Sequence, residues 1–133
     1  MTREHIKVRA ASGDREADHE VLETLADWLL KDRDVGGHVE IVKARRSAAG
    51  NMDAGLLDYI QLLSGAGFSI ASLAYAHRAW RSTLPSQQRS TPIVIERGRA
   101  RITIDDDSAE TAARLIQALE SQEEEPSTPP EDA

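Results

Sequence analysis

The sequence predicts one α+β domain with the element order β-α-β-α(α)-β-β-α, in which helices pack against a four-stranded mixed sheet. Two hydrophobic patterns lead to this prediction. Apolar and polar residues alternate in segments 5–10 and 100–104, as they do in strands with one solvated face. Apolar residues recur every three or four positions in segments 15–31 and 112–119, as they do in amphipathic helices. The length of 133 residues suits one domain with a single core.

The first third of the chain indicates a strand, a helix and a second strand. The first strand is 5–10, the helix is Arg15–Lys31, and Gly36 and Gly37 end the helix before the second strand at 38–44. A strand–helix–strand unit of this length predicts a right-handed parallel crossover. Because the second strand has apolar residues on both faces, we expect it at the centre of the sheet.

The middle of the chain is predicted to be helical over residues 53–82. Ser64, Gly65 and Gly67 interrupt the helical pattern, which indicates either one kinked helix or two helices. The segment 62–76 carries no charged residue. Such a helix is either enclosed by the rest of the fold or in contact with a partner or a membrane.

The last third predicts a β-hairpin, a helix and a tail. Strands 93–96 and 100–104 flank a turn at Gly98, and the first of them is apolar on both faces and is expected to be central. The final amphipathic helix completes a predicted domain of residues 1–122. Residues 123–133, EEEPSTPPEDA, are predicted to be a disordered, acidic, Pro-rich tail.

The charge balance gives no support for a nucleic-acid partner. The formal net charge is −7, but six of the 23 acidic residues follow Leu119, which leaves 17 acidic against 16 basic residues in the rest of the chain. The predicted strands also contain no aromatic residue on which a base could stack. We therefore expect no nucleic-acid partner.

Composition and the N-terminal segment also indicate where in the cell the protein is located. The chain contains no cysteine, which excludes disulfides, thiolate zinc sites and cysteine nucleophiles. The N-terminus shows no apolar segment followed by a small-residue cleavage site. Arginine and alanine are abundant, as they are in proteins of GC-rich bacteria. We therefore expect a bacterial, cytoplasmic protein.

Catalytic and metal-ligating patterns are absent from the sequence. Glu16, His19, Glu20 and Glu23 have the spacing of ligands on one helix face, but an HExxH motif needs a second histidine where Glu23 stands. A solvated acidic helix face is the simpler interpretation. The sequence has no GxSxG nucleophile elbow either. We expect no enzymatic activity, no bound metal and no cofactor.

A weak anion-binding signal lies at the end of the second predicted strand. Arg45 and Arg46 follow this strand and precede a predicted helix N-terminus, where an anion could bind. The loop RRSAAGNM lacks the spacing of a phosphate-binding P-loop, so an ordinary basic loop is the simpler interpretation. A small-molecule or anion-binding sensor near these residues is the alternative function.

The apolar segment supplies the candidate partner surface. On a helical wheel it shows one stripe of large residues and one of small residues, which let helix backbones approach closely. Three interpretations remain open: internal packing, contact with another chain, and membrane association. The last is the least favoured, because a spanning helix needs about 20 apolar residues. The candidate partner-binding residues are Ile70, Leu73, His77 and Trp80 in the large stripe and Gly65, Ser69, Ser72 and Ala76 in the small one.

Four segments in order resemble a family of small bacterial proteins called effector-associated constant components. They are HIKVRAA at 5–11, LETLADWLLKDRDVGGHVEIVKA at 22–44, GLLDYIQLLSGAGFSIASLAYAHRAW at 55–80 and PIVIERGRARITIDD at 92–106. The resemblance extends over about residues 5–119 and leaves the acidic tail outside.

The resemblance implies a non-enzymatic accessory component of multi-gene bacterial conflict systems, which pair regulatory parts with exchangeable effectors. We therefore expect an adaptor in a defence or signalling complex. Its expected partner is an effector or regulatory protein of the same system, or a second copy of this chain, bound through the predicted helices of residues 53–80. We expect no membrane partner.

Overall fold

The computed structural model describes residues 4–46, 55–65 and 67–124. These residues form helices and strands in an α+β arrangement, which confirms the predicted fold class. In chain order the elements are β1 (Glu4–Ala10), α1 (Arg15–Lys31), α2 (Arg33–Gly36), β2 (Val39–Arg46), β3 (Leu56–Ser64), α3 (Ile70–Ser82), β4 (Ile93–Arg97), β5 (Ala100–Ile104) and α4 (Ala109–Glu124). Helix α4 includes the first two residues of the predicted tail, and residues 125–133 lie outside the described residues.

The sheet has five strands in the order β2-β3-β1-β4-β5, and every neighbouring pair is antiparallel. The prediction of a four-stranded mixed sheet was therefore wrong in strand number and in strand direction. The β4–β5 hairpin, by contrast, was predicted from its alternation and its turn, and the structure confirms it.

The additional strand is β3, which was predicted to be part of a helix. Its apolar residues fit both a helical and a strand period, so the pattern alone could not decide between them. In the structure Ile60 and Leu62 lie opposite Val8 and Ile6 of β1, and β2 pairs with the other edge of β3. Hydrogen bonding to two neighbours therefore decides the local conformation, and the predicted helix begins only at Ile70.

Because of strand β3, the predicted parallel crossover from β1 to a neighbouring β2 does not occur. Strand β3 lies between β1 and β2 and runs antiparallel to both, so these two strands point the same way without being neighbours. Strand β2 is consequently at the edge of the sheet, and its predicted central position was wrong. Strand β4 does lie inside the sheet, between β1 and β5.

One face of the sheet packs against the helices and forms the core. Ile6 and Val8 on this face are buried, as are Ile60, Leu62 and Ile95 beside them. Helices α1 and α4 contact the strands, and α3 packs against α1, α2 and α4. Helix α3 is therefore held mainly by other helices.

The opposite face of the sheet is more open. It carries Lys7 and Tyr59, with the Lys7 ammonium 4.4 Å from the centre of the tyrosine ring. On the same face Gln61 Nε2 lies 3.0 Å from His5 Nδ1, and His5 is exposed. This open face thus carries polar and aromatic side chains.

The connection from α1 to β2 is tight and depends on one glycine. Asp32 ends α1 and caps α2, and its carboxylate accepts hydrogen bonds from the N–H groups of Asp34 and Val35 at 2.8 and 3.1 Å. A Cβ atom at Gly36 would overlap the carbonyl oxygen of Leu30. A Cβ atom at Gly37 would meet only Arg33 O, at 3.5 Å.

We predict that Gly36→Ala destabilises the protein and that Gly37→Ala does not. The first substitution forces two backbone segments apart, which should lower the free energy of unfolding by about 2–3 kcal/mol. The second substitution adds a methyl group that makes only an ordinary van der Waals contact. The φ angle of Gly37 is −81°, which alanine also adopts. This substitution should leave stability unchanged or raise it by about 0.5 kcal/mol. Urea denaturation of both variants measures the difference, and equal stabilities would contradict the close approach at Gly36.

Candidate functional site

Helix α3 contains most of the predicted partner-binding residues, and its start is defined by Ser69. The Ser69 hydroxyl accepts a hydrogen bond from Ser72 N at 3.1 Å, which is an N-cap. Apolar residues at helical spacing then give the helix one inward face, and the helix ends at Ser82.

The large stripe predicted to bind a partner is inside the domain. Ile70, Leu73, His77 and Trp80 are each at most 4% exposed, and three of them belong to the main hydrophobic core. Trp80 Nε1 donates a hydrogen bond to Thr24 Oγ1 of α1 at 3.1 Å. In this structure these four side chains are thus used for packing α3 against its neighbours.

The small residues do not form one stripe. Gly65 lies beyond β3, where its N–H donates to His38 O at 2.9 Å, and Ser69 is the cap of α3. Ser72 is half-buried and Ala76 is buried. The helical wheel placed these small residues in one stripe because it was drawn for a continuous helix through Gly65, whereas α3 begins at Ile70. Contact of the accessible members with a partner stays a prediction.

We predict that a larger side chain destabilises the protein at Ala76 of α3 and is tolerated at Ala79. Ala76 is buried and Ala79 is exposed, although the same helix carries both. Ala76→Leu should lower the free energy of unfolding by about 1–3 kcal/mol through overpacking, and Ala79→Leu by less than about 0.5 kcal/mol. Chemical denaturation compares the two variants. A fully stable Ala76→Leu variant would show that the inward face of α3 is loosely packed.

A buried polar cluster lies at the C-terminal end of α3, and sequence reasoning missed its main residue, Arg81. The Arg81 side chain is fully buried. Its Nη1 donates to the carbonyl oxygens of Arg89 and Thr91 at 2.7 and 2.9 Å, and its Nη2 donates to Ile104 O at 3.0 Å. Nη2 also lies 3.3 Å from His77 Nε2. The guanidinium therefore joins α3 to the segment before β4 and to the end of β5.

The cluster changes the proton affinity of both of its titratable members. Burial, together with the charge of Arg81, lowers the pKa of His77 from 6.5 to about 3. The imidazole is therefore neutral at pH 7, and its Nε2 accepts from the arginine. Burial also lowers the pKa of Arg81, while the negative charges of Asp105, Asp106 and Asp107 oppose that shift. This arrangement is suited to holding structure together, because the imidazole is closed to solvent.

We predict that His77 makes the protein less stable at acidic pH. In the unfolded chain it binds a proton near pH 6.5, whereas in the folded protein it does so only near pH 3. Stability from this residue is thus complete above pH 6.5 and is lost as the pH falls below it. The loss should be about 2 kcal/mol at pH 5.

The measurement is the free energy of unfolding at pH 7 and pH 5. The His77→Gln variant should lose about 2 kcal/mol less than the parent over this interval. A His5→Gln variant, changed at an exposed histidine, is the control and should follow the parent. Parallel profiles for all three proteins would refute the assignment to His77.

The outward side of α3 exposes a different set of residues. Tyr75 is 60% exposed, the largest exposed fraction among the described large apolar and aromatic side chains. With Arg78, Ala79, Ser82 and Asp107 it lines a cleft of about 310 Å³, and we call these five residues the Tyr75 face. Arg78 Nε donates to Asp107 O at 2.8 Å and so joins the helix to the loop before α4. The partner-binding residues predicted from the sequence included none of these five. The only signal in the sequence for this face is the large apolar stripe, because the side of a helix opposite a buried stripe is exposed.

The predicted anion site at Arg45 and Arg46 is partly occupied by the protein itself. Arg45 Nη2 lies 3.3 Å and Lys43 Nζ 2.9 Å from the two carboxylate oxygens of Glu23. The hydrogen bond from Lys43 is the main reason that the pKa of Glu23 is lowered. The Arg46 side chain lies outside the described residues. An anion would therefore compete with Glu23 for Arg45, and the anion site stays a prediction.

The acidic face of α1 is also engaged in structural contacts. His19 Nδ1 accepts a hydrogen bond from Leu57 N at 2.9 Å, and His19 Nε2 lies 4.0 Å from a carboxylate oxygen of Glu23. Within residues 4–46, 55–65 and 67–124, no group of three or more His, Asp or Glu side chains is arranged to hold a metal ion. Glu16 and Glu20 are exposed on the same helix.

One of the two reasons against a nucleic-acid partner does not hold for the open face of the sheet. The strands were expected to contain no aromatic residue, but β3 places Tyr59 on this face beside Lys7. Arg101 on the same face is 3.4 Å from Glu96. Absence of a nucleic-acid partner therefore stays a prediction that rests on the charge balance alone.

These features define a small α+β domain with an exposed tyrosine on a helix whose other side is packed in the core. Comparison with protein families identifies it further: residues 12–121 match the model of Effector Associated Constant Component 1, and the chain belongs to this family. The suspected resemblance is thereby confirmed. No curated protein and no solved structure matches the chain. Among the helices that the structure describes, none is long and apolar enough to cross a membrane.

Proposed function

We propose that the protein is a non-enzymatic adaptor that couples an effector to a bacterial conflict or signalling system through the Tyr75 face. The family supports the effector-associated, accessory part of this proposal. The observation that supports a contact surface is the exposure of Tyr75 on a helix whose other side is fixed in the core. The proposed setting is the bacterial cytoplasm.

The chemistry of the Tyr75 face suits protein binding. Tyrosine and arginine are enriched where protein interfaces are most sensitive to mutation, because their large side chains bury much area and keep a polar end. Ala79 and Ser82, which line the cleft with Tyr75 and Arg78, have small side chains. They leave room for a partner side chain to enter the cleft.

A non-enzymatic role is favoured by how the titratable groups are used. The buried His77 is bonded to Arg81, and His19 accepts from a backbone N–H. Glu23 is paired with Lys43 and Arg45. General acid–base catalysis needs such groups free to exchange protons with a substrate. We therefore propose that these side chains serve the fold.

We predict that Tyr75→Ser weakens partner binding without unfolding the protein. Loss of an exposed aromatic anchor should weaken binding about thirtyfold or more, since anchors of this kind contribute about 2 kcal/mol or more. The candidate partners are the proteins encoded by the neighbouring genes, co-expressed with this chain and measured by co-purification and calorimetry.

The matched control is Leu30→Ser. Leu30 is 53% exposed on α1 and is not part of the Tyr75 face, so the variant removes a large exposed side chain from another helix. It should bind like the parent. If both variants bind the partner as tightly as the parent, the Tyr75 face is not the contact. If the parent binds none of the proteins encoded by the neighbouring genes, the result counts against the adaptor role.

A further inference from the structure

The sheet ends at β2, and this edge strand can accept another strand. Within residues 4–46, 55–65 and 67–124, β2 pairs with β3 alone. It has eight residues, whereas β5 at the opposite edge has five. We propose that β2 pairs antiparallel with β2 of a second copy of this chain, so that two five-stranded sheets join into one. This contact is separate from the Tyr75 face and does not depend on the adaptor role.

The first observation is the direction of the backbone groups of β2. Gly65 N donates to His38 O at 2.9 Å, and these two residues continue the register in which Val39 lies opposite Ser64. They are therefore a hydrogen-bonded pair of the antiparallel ladder, and such pairs recur at every second residue. The backbone groups between two such pairs point away from β3 and face the open edge. The residues of β2 whose N–H and C=O groups face this edge are Val39, Ile41 and Lys43.

The edge strand itself is regular. The irregularity in the ladder lies where Ala44 pairs with Tyr59 and Arg45 with Leu57, so the additional residue is Asp58 of β3. A bulge on an edge strand hinders the addition of a further strand. Because this bulge belongs to the inner neighbour, β2 keeps its alternation and presents its free backbone groups at the spacing of a strand.

The second observation is Val42, which lies in the middle of β2 and is 39% exposed. Its backbone groups point to β3, so in a pairing of two β2 strands centred on this residue the two valines form a non-hydrogen-bonded pair. Side chains come closest in pairs of this kind, and β-branched residues pack well there. The pairing would thus remove an exposed apolar side chain of each copy from water.

The charges of β2 favour this register over its neighbours. When the pairing is centred on Val42, Ile41 lies opposite Lys43 of the second copy and no like charges are directly opposite. A pairing centred on Lys43 would place two lysines opposite each other, which destabilises a sheet. A pairing centred on Ile41 would place Val42 opposite Glu40. Only the register centred on Val42 joins apolar to apolar and avoids both conflicts.

Lysine on an edge strand often prevents such pairing, because its charge would lose water. Here the Lys43 ammonium is 2.9 Å from Glu23 Oε1, on the helical side of the sheet. The charge is therefore paired within its own copy. The aliphatic part of the lysine side chain is then available to cover Ile41 of the second copy, which is only half-buried at the margin of the core.

The test combines sedimentation velocity with hydrogen exchange of single backbone amides, on the full chain at about 10 μM to 1 mM. We expect a monomer–dimer equilibrium. In the monomer the amides of Val42 and Ala44 should exchange slowly, because they bond to β3, and those of Ile41 and Lys43 quickly. In the dimer the latter two should slow about tenfold or more. A protein that stays monomeric, assembles beyond a dimer, or dimerises without protecting these two amides would overturn the proposal.

A charge exchange at Val42 tests whether the occupant is a second copy in this register. Val42→Lys opposes two ammonium groups and Val42→Glu two carboxylates, so each variant alone should dimerise about tenfold or more weakly than the parent. An equimolar mixture should form a mixed dimer, because an ammonium of one variant then faces a carboxylate of the other. If the mixture associates no better than the separate variants, Val42 does not face its own copy and the proposal is refuted.

Two substitutions at one position separate the backbone contribution from the charge. Lys43→Pro removes an N–H group that points away from β3, so the monomer should fold while dimerisation weakens about tenfold or more. Lys43→Ala keeps this N–H group and is the matched control, with dimerisation like that of the parent. Equal dimerisation of the two variants would show that the edge of β2 is not the interface.

The Tyr75→Ser variant distinguishes this proposal from the adaptor role. Tyr75 lies on α3 and not on β2, so this variant should dimerise like the parent. Loss of dimerisation in this variant would place the contact between copies on the Tyr75 face and contradict the pairing of β2. Failure of the β2 pairing would leave the adaptor proposal unaffected, since that proposal is measured with other proteins.

Discussion

The buried guanidinium of Arg81 is the contact on which the position of α3 depends. Removing a cation from water costs several kcal/mol unless its donors are satisfied. Three carbonyl oxygens, from Arg89, Thr91 and Ile104, accept from it, and they come from two separate segments. A shift of α3 would therefore leave the buried charge without its acceptors and the carbonyl of buried Ile104 without its donor.

This constraint separates the two sides of α3. The inward side is committed to the Arg81 cluster, to the Trp80–Thr24 hydrogen bond and to apolar packing. The outward side, where Tyr75 is exposed, is the side that remains for the proposed partner contact. The large apolar stripe that the sequence offered as partner-binding marks the side of the helix that packs into the domain, and its contact with a partner stays a prediction. In a monomeric domain that side is normally its own core.

Sequence patterns predicted the elements whose period is unambiguous. Strand β1, helix α1, the β4–β5 hairpin and helix α4 each show one clear period, and all are present. Strand β3 fits two periods, and only its pairing with β1 and β2 decides between them. The edge position of β2 and the role of Arg81 are long-range properties as well. No local pattern specifies which carbonyl oxygens will surround a buried arginine.

Rigidity of α3 has a consequence for how the proposed contact surface can respond to a partner. A partner changes the position of α3 only if the helix has a second arrangement of similar free energy. The hydrogen bonds of Arg81 make any second arrangement costly, because a shift would leave the buried guanidinium without its acceptors. The structure therefore favours a partner that binds the Tyr75 face without moving the helix.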